Sequence, residues 1–415
     1  MNLALISVVA LAICIIVSCV TTLNVGVLAI AMAWLIGVYL GAMPVNTVIA
    51  GFPTPLFLTL TGVTLLFSLA QCNGTLDKLA HHAVRVCRGN RGVVPIMFFL
   101  LGAGLASMGP GNISTAALLA PMAMATATRF NIPLFLMAIM VGNGANSGSL
   151  SPFAPTGIIV SGLMAKNGMP GHEVQTYLSN LAAHAAVAFA GYFLFGGLKL
   201  FSGQADAGAA AAAAGGSGEG AFQGRHWLTL GVIAALILSV IFFEVNVGFG
   251  AFVGAVVLVL LKAADDGEAI KRMPWRVIVM VCGVTVLIAI LEKAEGIDLL
   301  VSWMARISSP GTVTGVVAFI TGLISVYSST SGVVLPAFLP MVPGLASQLH
   351  VTNAVGIAYS MNVGGHLVDV SPLSTIGALC IAGSPVDESR PLFNKLLAWG
   401  LSMSVVGAIL CWVFF

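Results

Sequence analysis

The chain has 415 residues, 59% of them hydrophobic and only 7% charged, with 16 Lys and Arg against 14 Asp and Glu. A soluble domain is about a quarter charged, so these residues cannot build a water-facing surface. The composition excludes an ordinary soluble enzyme, a nucleic-acid binder and a disordered protein, and leaves an all-α polytopic membrane protein. The net charge of +2 carries no information about partners; the placement of the charges does.

A membrane-spanning helix needs roughly 17–25 apolar residues. Simple spans are expected at 3–20, 24–42, 55–72, 178–200, 227–243, 246–262, 275–292 and 392–415. The first run lacks a charged leader and a cleavage site, and it reads as a mature span. Two apolar regions, 93–128 and 312–345, read as paired short helices with a polar break, GPGNIST (109–115) in one and SSTSG (328–332) in the other. Two more, 133–166 and 352–383, are interrupted by Gly, Asn, Ser and Pro. The Ala/Gly-rich stretch 201–226 reads as a cytoplasmic linker between an N-terminal unit, 1–200, and a C-terminal unit, 227–415.

The two units repeat at an offset of about 220 residues. Asp77 and Arg85 correspond to Asp298 and Arg306, Pro121-Met122 to Pro340-Met341, and Ser151-Pro152-x4-Gly157 to Ser371-Pro372-x4-Gly377. Each unit therefore reads as five crossings, one re-entrant helical hairpin and one interrupted helix, and an odd number of crossings inverts the second unit relative to the first. Charge supports this count. With five crossings per unit, thirteen Lys and Arg fall on the side of the 72–92 loop, and only Lys166, Lys293 and Arg306 fall on the other. By the positive-inside rule the first side is cytoplasmic and both termini lie outside, which suits a multi-pass protein of the inner (plasma) membrane.

Non-helical backbone inside a bilayer is tolerated only where it is buried in protein or lines a wet cavity. Four breaks, at 109–115, 142–157, 328–332 and 362–377, are expected to meet near the midplane and form one site. Broken helices offer N-terminal dipole ends to anions and carbonyls to cations. GNGANSGSLSPFAPTG (142–157) is rich in neutral oxygens, and NVGGHLVDVSPLSTIG (362–377) adds His366 and Asp369. Asp369 is an intramembrane carboxylate suited to a cation or a coupling proton, and His366 to an anionic substrate or a proton. His184 reads as a satisfied core histidine. The seven cysteines, Cys14, Cys19, Cys72, Cys87, Cys282, Cys380 and Cys411, form no metal-spaced cluster and read as packing residues. No ATP-binding, metalloprotease or voltage-sensor motif is present, no cofactor is implied, and no embedded Lys or Arg stands out as an anion partner.

The stretch VIAGFPTPLFLTLTGVTLLFSLAQCNGTLDKLAHHAVRVCRG (48–89) and the hairpin STAALLAPMAMA (114–125) resemble the malonate/dicarboxylate carriers called MatC. The whole pattern resembles the ion-transporter superfamily that includes the divalent-anion/sodium symporters. The resemblance implies a homodimer that moves its substrate by sliding a transport domain (93–200 and 312–415) against a scaffold (1–72 and 227–292), with arm helices at 75–88 and 297–307. It implies that the hairpin tips hold substrate, here Asn112, Ser114 and Thr115 in one and Ser329, Thr330 and Ser331 in the other; His366, where that family tends to use a neutral residue, joins them on its own chemistry. It implies cation loops over Asn143, Asn146, Ser147 and Ser151, and over Asn362, Gly364, Asp369 and Ser371, for Na+ or a proton. The function expected is cation-coupled transport of a small dicarboxylate such as malonate or succinate, without enzymatic activity. The alternative is a cation/proton antiporter or small-anion exporter of the same superfamily. A hydrolase using Ser147 or Ser149 with His366 or His184 has only the repeat to bring those residues together.

Overall fold

The computed structural model describes residues 2–21, 23–86, 90–202 and 222–415. Cys87, Arg88 and most of the 201–226 linker lie outside the described residues. The chain begins with α1 (Leu3–Val20), α2 (Val25–Trp34, prolonged by a π-type turn through Leu40), a short α3 (Val45–Ala50) and α4 (Thr54–Cys72). It continues with α5 (Thr75–Val86), α6 (Val93–Met108), α7 (Gly111–Arg129), α8 (Leu134–Ser147), α9 (Pro155–Lys166) and α10 (Glu173–Leu194). The second half holds α11 (Gly224–Phe243), α12 (Val247–Leu260), α13 (Asp266–Arg272), α14 (Trp275–Lys293), α15 (Gly296–Arg306) and α16 (Val313–Ser325). It ends with α17 (Thr330–Gln348), α18 (Ala354–Leu367), α19 (Thr375–Ala382) and α20 (Val386–Phe414).

The helix starts are written in the sequence. Asn2, Asn24, Asn246, Asp265 and Asn353 each stand just before a helix, and each side chain accepts a hydrogen bond from a first-turn amide. Among the described residues, five segments are long and apolar enough to cross a bilayer: α4, α14, α17, the stretch Ala354–Ala382, and α20. The expected break GPGNIST is shorter than its polar run. Gly109 (φ 139°) and Gly111 (φ 75°) turn the chain around Pro110, and α7 resumes at once. Asn112, Ser114 and Thr115 are therefore helical. α3 and α13 have too few residues to show a hydropathy signal.

The outside of the molecule is apolar. On α1, Leu5, Val9, Ile13, Ile16 and Val20 form an exposed stripe while Val8, Leu11 and Cys14 are buried. A soluble helix would turn the opposite face outward, so the exposed stripe fits hydrocarbon. Thr61, Thr64, Thr126, Thr285 and Thr321 donate their hydroxyls to carbonyls four residues back at 2.6–2.8 Å, which keeps polar groups satisfied within the helices. The chain is a helical, multi-pass membrane protein.

The two halves make matching contacts. α2 packs on α14 and α12 packs on α4. A Cβ at Gly26 would sit 2.2 Å from the Val279 carbonyl and one at Gly283 2.2 Å from the Gly26 carbonyl. In the other pair, a Cβ at Gly62 would sit 2.3 Å from the Gly248 carbonyl. Only glycine permits such backbone contact. A Cβ at Gly157 would meet the Ser151 carbonyl at 1.9 Å, and one at Gly377 the Ser371 carbonyl at 2.0 Å, so the two Ser-Pro-x4-Gly turns close in the same way. One core takes all its buried residues from α6, α7, α8, α10, α16, α18, α19, α20 and their adjoining turns. A second gathers α1, α2 and α14 with Val333 and Ala337 of α17.

Candidate functional site

A cavity of about 380 Å³ lies where segments distant in sequence meet. Five helices begin at its wall: α2 at Val25, α7 at Asn112 and Ile113, α14 at Arg276 and Val277, α17 at Thr330 and Ser331, and α19 at Thr375 and Ile376. Each helix N-terminus is equivalent to roughly half a positive charge, so the converging starts favour an anion. α7 follows Pro110 and has no side-chain cap. Ser329 and Ser374 cap α17 and α19 by accepting from Gly332 N and Gly377 N at 3.1 and 3.3 Å. The volume is in the range of small-molecule sites.

Of the expected site residues, the cavity is lined by Asn112, Ser329, Thr330, Ser331 and Asp369. Thr330 Oγ1 donates to Asp369 Oδ1 at 2.8 Å and reaches the Gly365 carbonyl at 3.2 Å. Ser374 Oγ donates to the Asp369 main-chain carbonyl. Ser114 and Thr115 do not line the cavity; Thr115 is buried in the first turn of α7, and its hydroxyl has no partner among the described residues. His366 is also buried rather than open to the cavity.

Behind the cavity lies a buried polar layer. Asn112 Nδ2 donates to Asn146 Oδ1 at 2.9 Å, and Asn180 Nδ2 donates to the Asn146 carbonyl at 2.8 Å. Asn143 donates to the Ile139 carbonyl at 2.7 Å, which leaves its Oδ1 to accept from His184 Nδ1 at 2.8 Å. His366 Nδ1 faces the Asn362 carbonyl at 2.8 Å. Both imidazoles thus carry hydrogen on Nδ1 and turn an Nε2 lone pair into the protein. Those two Nε2 atoms, Asn146 Nδ2, Asn180 Oδ1 and Asn362 Oδ1 have no partner among the described residues. His184 is therefore not the satisfied histidine that its apolar surroundings suggest. Ser147 donates to the Gly144 carbonyl and Ser151 to the Ser107 carbonyl, both at 2.7 Å. Gly364 and Ser371 are buried, Gly364 against the Ala318 backbone. The layer's unpartnered acceptors among the described residues are two amide oxygens and two imidazole nitrogens. Among the described residues no three His, Cys, Asp or Glu side chains group to hold a metal.

Ser328, Ser374 and Thr375, which line the cavity, fall within the expected breaks 328–332 and 362–377 without having been singled out; sequence reasoning missed Arg276, which also lines it, and Asn180, which braces the α8 end. Asn180 had a legible signal, a lone amide inside an apolar span. Arg276 had none, because a cation at a span end is solvated by default.

Residues 1–149 match the family model described as the dicarboxylate carrier protein MatC N-terminus. Over 345 residues the chain is 22% identical to an uncharacterized transporter of Mycobacterium bovis, a match covering 79% of this chain and 78% of the relative. It shows the same identity and coverage to an uncharacterized transporter of Mycobacterium tuberculosis. Both likenesses are to proteins described as carriers or transporters, and with its apolar multi-pass fold the chain is a transporter rather than an enzyme, similar over its first 149 residues to the MatC dicarboxylate carriers.

Proposed function

We propose that the protein is a cation-coupled secondary transporter for a small dicarboxylate such as malonate or succinate. The observation that carries this reading is the cavity where five helix N-termini and the hydroxyls of Ser329, Thr330, Ser331 and Thr375 surround one space. Positive dipole ends and neutral donors suit carboxylates. Asn112 and the second tip would hold the substrate, with Ser114, Thr115 and His366 supporting it. Asn143, Asn146, Ser147, Ser151, Asn362, Gly364, Asp369 and Ser371 would hold Na+ or a proton. Asp369 is the natural coupling group, since a cation or proton on it removes a charge that would repel the substrate.

The reading includes two inverted repeats of five crossings with re-entrant hairpins at α6–α7 and α16–α17. The matched contacts of Gly26 with Gly283 and Gly62 with Gly248, and of the two Ser-Pro-x4-Gly turns, support it. The reading also includes a transport unit that slides in an elevator fashion, in a homodimer of the inner membrane; one core has all its buried residues within 93–200 and 312–415, while a larger core joins Leu60, Leu66 and Ile278 to Ile159, Leu335 and Ile357 across the proposed boundary. Asp369 at the cavity also favours a second reading, a cation/proton antiporter without an organic substrate.

Radiolabelled malonate and succinate uptake into proteoliposomes, under a sodium gradient and separately under a pH gradient, tests the first reading. Uptake driven by sodium alone makes the polar layer a sodium site. Uptake driven by protons alone makes Asp369 the proton carrier. No uptake in either arm by folded protein rejects dicarboxylate symport, and a melting-temperature rise with sodium or pH but not with malonate then selects the antiporter.

A further inference from the structure

We propose that Arg276 is the ligand for the second carboxylate of the substrate, and that it makes the site select dicarboxylates over monocarboxylates. This rests on the reading of the cavity as the substrate site. Among the described residues, Arg276 and Asp369 are the two charged residues that line it. They come from different parts of the fold. Asp369 follows α18, which packs with α16 and α20, whereas Arg276 opens α14, which packs against α2 through Gly26. The cavity therefore draws its hydroxyls from the tip and the α18–α19 turn, and its one cationic residue from α14, which packs beside the start of α17.

A monocarboxylate is satisfied by the hydroxyls alone. A dicarboxylate brings a second negative charge, and a carboxylate beside Asp369 would be repelled by it. The guanidinium gives that second group a planar, bidentate partner of the right sign. Helix stability does not account for the placement of Arg276. It is the second residue of α14, where the helix dipole disfavours a cation. Lys271 and Arg272, in the last turn of α13, lie where the dipole favours them and do not line the cavity. Arg276 instead adds its charge to a helix start that already faces the other four. In a sliding mechanism the contact would exist only while the tips face α14, so Arg276 would act on one side of the transport cycle.

Equilibrium binding of radiolabelled malonate to purified full-length protein tests this, with unlabelled malonate and its monoamide, malonamate, as competitors. Arg276→Gln, Arg276→Lys and Thr330→Ala are compared with the wild type, each checked by size exclusion and thermal melting. Arg276→Gln is expected to weaken malonate at least about tenfold, the effect of one charge-assisted pair, and to change malonamate by less than about twofold. Arg276→Lys keeps the charge without the fork and should fall between. A folded Arg276→Gln that binds malonate like the wild type, or that loses malonate and malonamate equally, overturns the assignment. If Arg276→Gln does not fold, an Arg276→Lys that matches the wild type overturns it. Wild-type protein that binds neither ligand, or Thr330→Ala that binds malonate normally, instead rejects the cavity as the substrate site, and the role of Arg276 with it.

Discussion

Thr330 donates its hydroxyl to Asp369 at 2.8 Å, which ties the start of α17 to the turn that interrupts the α18–α19 segment. The bond joins a residue expected to hold substrate to one expected to hold a cation, so occupancy at one is felt at the other. Asp369→Asn keeps an acceptor for Thr330 and removes the charge. The expected outcome is malonate counterflow that persists while gradient-driven accumulation is lost. Accumulation at the wild-type level in Asp369→Asn would remove Asp369 from the coupling role.

The two tip threonines are not equivalent. Thr330 lines the cavity, whereas Thr115 is buried behind it. Thr330→Ala should weaken malonate by about 10–100-fold, the value of one hydrogen bond to a charged group, and Thr115→Ala by less. Isothermal titration of the two variants decides the order.

The glycine contacts predict stability rather than affinity. Gly26→Val places a side chain where the Val279 backbone already lies, and overpacking of this kind costs about 1–3 kcal/mol or more. Gly231 in α11 has open space where a Cβ would go, so Gly231→Ala should be neutral or stabilising by up to about 1 kcal/mol. Thermal melting in detergent should show Gly26→Val well below the wild type and Gly231→Ala at or above it.

Lys166 and Glu292, on the ends of α9 and α14, form an ion pair at 3.8 Å with side chains 51% and 61% exposed. Such a pair contributes about 0–1 kcal/mol, so Lys166→Ala should barely shift the melting temperature. It does link the two groups of helices that a sliding mechanism separates. A bis-maleimide cross-link between cysteines at 166 and 292, in a background free of other cysteines, should stop uptake and leave the protein folded. Uptake at the normal rate after complete cross-linking would reject relative movement at this edge.

Most helices were legible because a bilayer imposes simple rules. Leu3–Val20 and the stretch from Val277 to Leu291 within Trp275–Lys293 are predominantly apolar, and a cap or a proline marks the start of each helix. The interrupted helices were legible from Ser-Pro-x4-Gly, whose glycine closes against the serine carbonyl. The seven-residue break at 109–115 was overestimated, because polar composition marks a face as readily as a loop. Two glycines with positive φ complete the turn without the rest of the run. The meeting of the breaks that start α7, α17 and α19 was legible from the repeat, but the starts of α2 and α14 beside them were not, since their place depends on packing between distant segments. Arg276 was hidden for the same reason, and His184 because nothing in its own helix reveals Asn143 beside it.

The five helix starts around the cavity have a consequence for how the protein can change. Much of their pull on an anion comes from peptide groups, which no single side-chain replacement deletes. A saturation scan of the wall should therefore find few positions of complete loss and many that alter ligand preference. Within such a scaffold a lineage can exchange one small anion for another through rim residues such as Ile113, Leu373 and Thr375, without passing through an inactive intermediate.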